Sequence, residues 1–251
     1  MDINKKCLSL WSLGEQKKSN RGQLHALRLV LLTGCILWFS HPSQAQNNQV
    51  GVDFTTVFPV GEFRDNVGNN GYGVGGHFLS GIGKSPVFIG ADLGVAVYGS
   101  QSRQELLSPS IPELRLKVTT RNNIGWAHFL VRLQPREGRV RPYAEGLVGA
   151  KYLFTNTSIT DDFSDDTIAS DTNFSDTTFS AGVGAGVQIH LAKTGKRSDV
   201  ALETGVRYMF GGEADYLRKG SIIRTPGGVF FDVLSSRTDS VTLQVGVSFR
   251  F

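Results

Sequence analysis

The sequence predicts an all-β protein, an eight-stranded antiparallel up-and-down transmembrane β-barrel preceded by a cleaved signal peptide. The first observation is the strict alternation of apolar and polar residues over residues 240–251. The second is the recurrence of this alternation in seven earlier segments. The third is the succession of short and long connections between segments, which is typical of membrane barrels. Inside lipid only helices and closed barrels satisfy all of their own backbone hydrogen bonds, so such strands must close into a barrel.

The first 45 residues have the features of an export signal. Basic residues precede an apolar run at residues 29–39, and a small-x-small site ends at Ala45. We therefore expect cleavage between Ala45 and Gln46, which leaves a signal peptide (1–45) and a barrel domain (46–251). The apolar run is too short for a membrane-spanning helix.

Cys35 offers a second interpretation of the leader. Residues 32–35, Leu-Thr-Gly-Cys, resemble the lipid-attachment site of bacterial lipoproteins. The apolar run continues to Phe39, which favours the cleaved signal peptide. Cys7 and Cys35 are the two cysteines of the chain, so the mature protein is expected to contain neither a disulfide nor a thiol.

The mature chain is formally neutral. The whole chain has 26 Lys and Arg against 22 Asp and Glu, and the leader holds six of the former and two of the latter. This leaves 20 of each sign after cleavage. Nucleic-acid binding requires a positive patch, so no nucleic-acid partner is expected.

The first four strand segments each place apolar residues on one face. These are Val50, Val52, Phe54 and Phe58 in residues 50–58; Tyr72, Val74, Phe78 and Ile82 in 72–82; Val87, Ile89, Ala91, Leu93, Val95 and Val97 in 87–98; and Ala127, Phe129, Val131 and Leu133 in 125–133. The fourth segment is irregular, because Val118 lies on an even position and Ala127 on an odd one. Either a bulge near residues 121–123 shifts the register, or the upper part of the strand projects above the lipid.

The last four segments follow the same pattern. Their apolar faces are Ala144, Val148, Ala150, Tyr152 and Phe154 in residues 143–154; Phe179, Ala181, Val183, Ala185, Val187, Ile189 and Leu191 in 179–191; Val200, Leu202, Val206, Tyr208 and Phe210 in 200–210; and Val241, Leu243, Val245, Val247, Phe249 and Phe251 in 241–251. All eight segments have about the length that a tilted strand needs to cross a membrane.

The connections fit one orientation of the barrel. Three are short, at residues 83–86, 134–142 and 192–199, and four are long, at residues 59–71, 99–124, 155–178 and 211–239. Eight strands with both termini on one side need three turns on that side and four loops on the other, so we expect periplasmic termini.

The charged residues of the eight segments all lie on the face opposite the apolar one. They are Asp53, Asp92, Arg132, Glu145, Lys151, Glu203, Arg207 and Arg250. A charge that faces lipid at mid-depth costs about 2–4 kcal/mol. The pattern therefore predicts that lipids touch the apolar face and that the charges point into the barrel.

An internal charge network follows from this prediction. Eight-stranded barrels are filled by side chains, and charges buried there must be paired. We expect Glu145, Glu203, Arg132 and Arg207 to form the network, with inward glycines leaving room for their long side chains. For Arg132 and Arg250, contact with water at the barrel mouths remains an alternative.

At this point the mature chain resembles the small outer-membrane β-barrel proteins of Gram-negative bacteria, the OmpA/OmpX-like eight-stranded type. The resemblance lies in FPVGEFRDN and GYGVGG near its start, in RVRPYAEGLVGAKYLFT, and in the ending SSRTDSVTLQVGVSFRF. It implies that Val247, Phe249 and Phe251 form the signal read by the barrel-assembly machinery, and that the protein resides in the bacterial outer membrane. The sequence shows no counterpart of the C-terminal peptidoglycan-binding domain of full OmpA proteins, so the resemblance does not extend to cell-wall anchoring.

Two of the long connections are candidate surface features. Residues 155–178 contain six aspartates and neither Lys nor Arg, which is typical of a solvated acidic loop and less so of a calcium site. In residues 211–239 two apolar stretches flank Thr-Pro-Gly-Gly, which indicates a hairpin above the membrane. These two loops could bind an extracellular protein partner, or they could simply cover the mouth.

The sequence gives little support to catalysis. Gly71, Gly73 and Gly76 have dinucleotide-motif spacing, but a strand and not a helix follows them. His77, His128 and His190 are expected to point inward. We therefore predict a structural or surface-interaction protein with no catalytic, cofactor or metal site. The alternatives are a narrow channel for small solutes and an outer-membrane lipid-modifying enzyme.

Overall fold

A closed antiparallel barrel forms the main body of the protein. The computed structural model describes residues 48–108, 111–161, 167–193, 198–225 and 228–251. The predicted cleavage site at Ala45 and Gln46 lies outside the described residues. Among the described residues, no helix has the length and hydrophobicity needed to cross a membrane.

The described chain contains twelve strands and one helix. In chain order they are β1 (Asn48–Pro59), α1 (Glu62–Val67), β2 (Gly71–Gly81), β3 (Val87–Ser108), β4 (Ile111–Leu133), β5 (Val140–Asp161), β6 (Thr167–Lys193), β7 (Asp199–Gly211), β8 (Glu213–Tyr216), β9 (Ile222–Thr225), β10 (Gly228–Phe231), β11 (Leu234–Arg237) and β12 (Ser240–Arg250). Strands β1 to β7 and β12 build the barrel, and each is antiparallel to its neighbours. Two small sheets, β8 with β11 and β9 with β10, stand apart from it.

The barrel closes where the last strand pairs with the first. The register of β1 and β12 runs from Gln49 opposite Arg250 to Pro59 opposite Ser240. Asn48 and Phe251 also exchange two backbone hydrogen bonds of 3.0 Å each. The predicted eight-stranded antiparallel barrel is therefore confirmed.

The two ends of the barrel differ. The turn end carries the β2–β3 and β4–β5 connections together with Asn48 and Phe251. The loop end carries α1 and the small strands β8 to β11. Arg136 fastens the β2–β3 turn to the β4–β5 turn, because its Nε donates to the carbonyl oxygen of Ser85 at 2.6 Å and its Nη2 to that of Ile82 at 3.3 Å.

The outer face of the barrel is apolar and exposed. Val52, Phe179 and Val183 keep 64%, 63% and 60% of their surface exposed, and the other strands follow the same pattern. Along the loop-end margin of this wall run aromatic pairs. They are Phe54–Tyr72, Tyr152–Phe154 and Tyr208–Phe210, with ring centroids 6.5, 5.1 and 4.8 Å apart.

Four barrel strands extend further than the sequence predicts. Residues 99–124 and 155–178 were expected to be long connections, but their described parts continue as paired strands of β3 to β6. Above the apolar wall both strand faces carry polar residues, so the alternation that marks a strand in the sequence is lost.

The irregular fourth strand continues straight through the predicted bulge site. The pairing of β4 with β5 runs without a shift from Leu116 to Leu133. A register shift does occur in the pairing of β3 with β4 opposite Asn122 and Asn123, but the extra residue is Tyr98 of β3 and β4 itself does not change face. Val118 is buried because it faces inward in the part of β4 that projects beyond the wall.

A short helix that the alternation does not predict closes the loop end. Gly61 and Gly68 flank α1 with φ of 58° and 68°, and Gly68 donates its N–H to the Arg64 carbonyl oxygen at 2.8 Å. Phe63 and Val67, one turn apart, are buried in an apolar cluster with side chains from β3 and β8. We call this cluster the cap.

Candidate functional site: the charged interior

Five charged side chains meet halfway down the barrel. Asp92 comes from β3, Arg132 from β4, Glu145 from β5, and Glu203 and Arg207 from β7. Each occupies an inward position because the alternating neighbours on its strand face outward. Arg132 and Glu145 are also direct cross-strand partners.

The five groups form a chain of alternating charge. Arg132 Nη2 lies 2.8 Å from both Glu145 Oε2 and Glu203 Oε1. Arg207 Nε lies 2.5 Å from Glu145 Oε1, and its Nη1 lies 3.0 Å from Asp92 Oδ2. Glu145 therefore joins the two arginines, and we call these five residues the ion-pair chain.

Further hydrogen bonds complete both ends of the ion-pair chain. Trp126 donates its indole N–H to Asp92 Oδ1 at 2.8 Å. Gln188 donates to Glu203 Oε2 at 2.7 Å, and it is hydrogen-bonded in turn to Gln49 and Gln134. Buried carboxylates are tolerated when hydrogen bonds satisfy their remaining lone pairs, and these donors do so for Asp92 and Glu203.

Glycines make room for the largest interior rings. The Tyr143 ring lies 4.0 Å from the Arg132 guanidinium, in a cation–π contact. A Cβ atom at Gly186 or Gly205 would collide with the Tyr143 ring or hydroxyl, and one at Gly94 would collide with Trp126. These positions accept only glycine while the rings keep their places.

The other predicted interior charges are buried but lie outside the ion-pair chain. Asp53 accepts a hydrogen bond of 2.6 Å from Thr55 Oγ1. Lys151 donates to the Thr238 carbonyl oxygen at 2.7 Å and to Ser240 Oγ at 3.1 Å, nearer the loop end. Arg250 donates to the Arg136 carbonyl oxygen at 2.6 Å near the turn end.

Arg132 and Arg250, for which contact with water was the alternative to an internal ion pair, differ in their exposure to solvent. Arg132 is fully buried, with an exposed fraction of 0%. Arg250 lies at the turn-end mouth with 9% of its surface exposed.

The remaining predicted residues are placed as follows. Val247, Phe249 and Phe251 lie on the outer face, each at least one-third exposed. His77 lies 3.6 Å from Glu203, and His128 lies 3.8 Å from Asp92, both inside the barrel.

Only part of the predicted acidic loop lies within the described residues. Asp162, Asp165 and Asp166 lie outside the described residues, as does the Asp161 side chain. Asp171 and Asp176, in contrast, accept the backbone N–H of the residue that follows each of them.

Side chains occupy several levels of the interior. Between the cap and the ion-pair chain, a cavity of about 20 Å³ remains beside Lys151 and Trp126. This is room for about one water molecule. Leu79, Phe88 and Leu130 fill the space toward the turn end.

The shell around the ion-pair chain was not predicted from the sequence. The signal in the sequence was that its members occupy inward positions in the alternation of their strands. They are Trp126, Tyr143, Gln49, Gln134 and Gln188. Polar uncharged residues at such positions are common in barrels, so the parity alone did not single them out.

These features define a class: an eight-stranded antiparallel barrel with an apolar outer face and a charged interior. A comparison with solved structures finds several that are similar to this chain over about four-fifths of its length. Neisserial surface protein A has 13% identity and a TM-score of 0.36, with 82% of this chain and 99% of that one covered.

Two further solved structures are similar to about the same degree. Ail, the attachment invasion locus protein of Yersinia pestis, has 14% identity and a TM-score of 0.33, with 82% of this chain and 97% of that one covered. The N-terminal β-barrel domain of Pseudomonas aeruginosa OprF has 12% identity and a TM-score of 0.34, with 83% and 100% covered. These likenesses concern the fold alone. No family model and no curated protein matches the chain.

Proposed function

We propose that this is a non-catalytic integral protein of the bacterial outer membrane that presents its loop end to the exterior. One observation carries the proposal, namely that the barrel is apolar outside and charged inside. In the eight wall segments, no Lys, Arg, Asp or Glu points outward, whereas the ion-pair chain is buried. This inverts the arrangement of a water-soluble barrel and matches a lipid-facing wall. The aromatic pairs at the loop-end margin match the aromatic girdle that membrane barrels place at an interface.

In this proposal the lumen does not conduct. The cap, the ion-pair chain and the apolar side chains near the turn end occupy successive levels of the interior. A narrow solute channel is the alternative function. Stable single-channel steps in planar bilayers would favour it, and we expect none from the purified protein.

The loop end provides the interacting surface. Phe230, Phe231 and Val233 keep 58%, 44% and 41% of their surface exposed, beyond the wall. Exposed apolar residues outside a lipid-facing wall are typical of contact sites. We propose that the region of residues 211–239, with the strands of residues 155–178 beside it, binds an extracellular protein partner.

Membrane location and orientation can be tested together. The predicted mature chain has no cysteine, so single cysteines can be introduced as Val233→Cys at the loop end and Glu137→Cys at the turn end. In intact cells a membrane-impermeant maleimide should label V233C and leave E137C unlabelled until the outer membrane is opened. The protein should fractionate with the outer membrane and migrate faster on gels before boiling than after it. Labelling of both variants in intact cells, or a protein found in the soluble fraction, would contradict the proposal.

A further inference from the structure

The turn end of the barrel opens into a vestibule that the proposed function does not use. Its volume is about 640 Å³, within the range of small-ligand sites. Arg136, Arg139, Arg141, His190 and Asp199 line it. Arg141 lines the vestibule from an inward, buried position on β5.

Positive charge exceeds negative charge around this vestibule. Asp199 is paired with Arg141, whose Nη2 lies 2.9 Å from Asp199 Oδ2. Arg250 reaches the same carboxylate only at 4.0 Å. Together with Arg136 and Arg139 there are four arginines, and the acids facing them are Asp199 and the exposed Glu137 on the rim. His190 adds a further nitrogen 3.4 Å from Asp199.

Several buried donors at this end have no hydrogen-bond partner in the described structure. They include Arg141 Nε and two nitrogens of Arg250, Nε and Nη2; Gln49 Nε2 is another. The Arg141 side chain is only 2% exposed, so bulk water does not reach it freely. Buried N–H groups are nearly always bonded, so these donors indicate a place for an acceptor.

The acceptor that fits best is a compact oxyanion. Guanidinium groups bind phosphate through paired, charge-assisted hydrogen bonds, and several arginines converge here. We propose that the turn-end vestibule binds a phosphate-bearing ligand, held by Arg139 and Arg141, with Arg250 adjoining through the Asp199 carboxylate. The same chemistry is found in a soluble phosphate compound and in the headgroup of an anionic phospholipid. The site depends on the geometry of the vestibule and does not require the proposed surface-interaction role.

Calorimetric titration of the purified protein in a neutral detergent with inorganic pyrophosphate tests this proposal. We expect saturable binding that weakens on the order of tenfold in Arg139→Gln, because a charge-assisted hydrogen bond is lost. Arg139 is exposed, so this variant should fold. Lys84→Gln is the matched control, since it removes one exposed positive charge at the same end of the barrel but outside the vestibule. It should leave the affinity within twofold of the original.

Arg141→Gln should weaken binding at least as much as Arg139→Gln, with folding checked by heat-modifiable gel migration. If that variant does not fold, the proposal is judged from the pyrophosphate affinities of R139Q and K84Q alone. Absence of saturable binding, or equal weakening by R139Q and K84Q, would overturn the proposal.

A second experiment, in lipid, distinguishes a soluble phosphate compound from the headgroup of an anionic phospholipid. The titration is repeated in nanodiscs of phosphatidylcholine and of phosphatidylglycerol. Weaker pyrophosphate binding in phosphatidylglycerol supports the site and assigns it to a lipid headgroup. Equal binding in both lipids supports the site and assigns it to a soluble ligand.

Discussion

At the scale of single residues, Glu145 connects the interior of the barrel. Each of its carboxylate oxygens faces a different arginine, Oε2 toward Arg132 and Oε1 toward Arg207. Glu203, by contrast, contacts a single arginine, Arg132, together with the amide of Gln188 and, at 3.6 Å, His77. A buried charge that loses its partner is costly, because neither water nor another group replaces the lost interaction.

This difference gives an ordered prediction. Glu145→Gln should destabilise the barrel by about 3 kcal/mol, because two buried arginines each lose one of their two carboxylate partners, while Arg132 keeps Glu203 and Arg207 keeps Asp92. Glu203→Gln should cost less, since Arg132 keeps Glu145. Denaturant titration in lipid vesicles measures both, and Trp126, which is the only tryptophan after residue 45, supplies the fluorescence signal.

Glu137→Gln is the control for this pair, because it removes the same charge from an exposed turn and should have little effect. Equal stability of E145Q and E137Q would show that the ion-pair chain does not stabilise the interior.

Glycine positions offer a second test at this scale. Gly186→Ala should destabilise the protein by about 1–3 kcal/mol, because the new methyl group overlaps the Tyr143 ring and the Thr204 carbonyl oxygen. Gly146 is the matched position on the outer face, where an added Cβ meets no atom within 4 Å. The same denaturant titration should show Gly146→Ala close to the original protein. A neutral G186A would mean that the Tyr143 ring moves freely.

Residue parity alone identified the inward charges, but it could not identify their partners. Arg132 and Glu145 are neighbours in register, so alternation and strand order suffice for this pair. Arg207 on β7 instead reaches across the lumen to Asp92 on β3. That contact depends on the tilt of the strands and on the space that inward glycines leave in the lumen. A local sequence pattern specifies neither of them.

At the scale of the elements, α1 shows how a loop becomes part of the interior. Phe63 packs edge-on against the rings of Tyr98 and Tyr216, with centroids 5.9 and 5.1 Å away. Tyr98 donates its hydroxyl to the Leu217 carbonyl oxygen at 3.1 Å, which ties β3 to the segment after β8. Six helical residues are too few to give a visible period, so the helix was not predictable from hydrophobic pattern.

Removing the Phe63 ring should loosen the cap without opening the barrel. In Phe63→Ala, amide hydrogen exchange should accelerate in residues 60–70 and 213–217, because their shared packing is lost. The protection of β1 and β12 should stay unchanged, since their pairing does not involve Phe63. Phe230→Ala, a change of an exposed ring at the same end, is the control and should leave exchange in residues 60–70 as before. Faster exchange in β1 and β12 would show instead that the cap supports the whole barrel.

The strands were predictable from the sequence where one face is apolar and lies on the outside of the barrel while the other is polar and faces the interior. Alternation marks β1, β2, β7 and β12 to within a few residues, because one face is apolar and the other is not. The upper halves of β3 to β6 lack this contrast. Because both faces are polar there, the sequence pattern did not show that these strands continue, and it left the register of β4 ambiguous.

At the scale of the whole molecule, the inverted distribution of polarity predicts how the wall responds to charge. Val206 is 49% exposed on the outer face of β7. Val206→Arg should cost about 2–4 kcal/mol of folding free energy in vesicles, because the charge must enter hydrocarbon. Val233→Arg is the matched control, 41% exposed beyond the wall, and should be tolerated. Equal folding of both variants would mean that water, and not lipid, surrounds Val206.

The seam between β1 and β12 joins residues that lie almost 200 positions apart in the chain. No piece of the polypeptide that lacks β12 can finish the sheet, so ribosomal synthesis must reach residue 250 before a closed barrel exists. Until then both edge strands offer unpaired amides and carbonyls to any other extended chain. A product that stopped before residue 240 would therefore be expected to aggregate, and every nascent copy would need to be shielded until β12 was made.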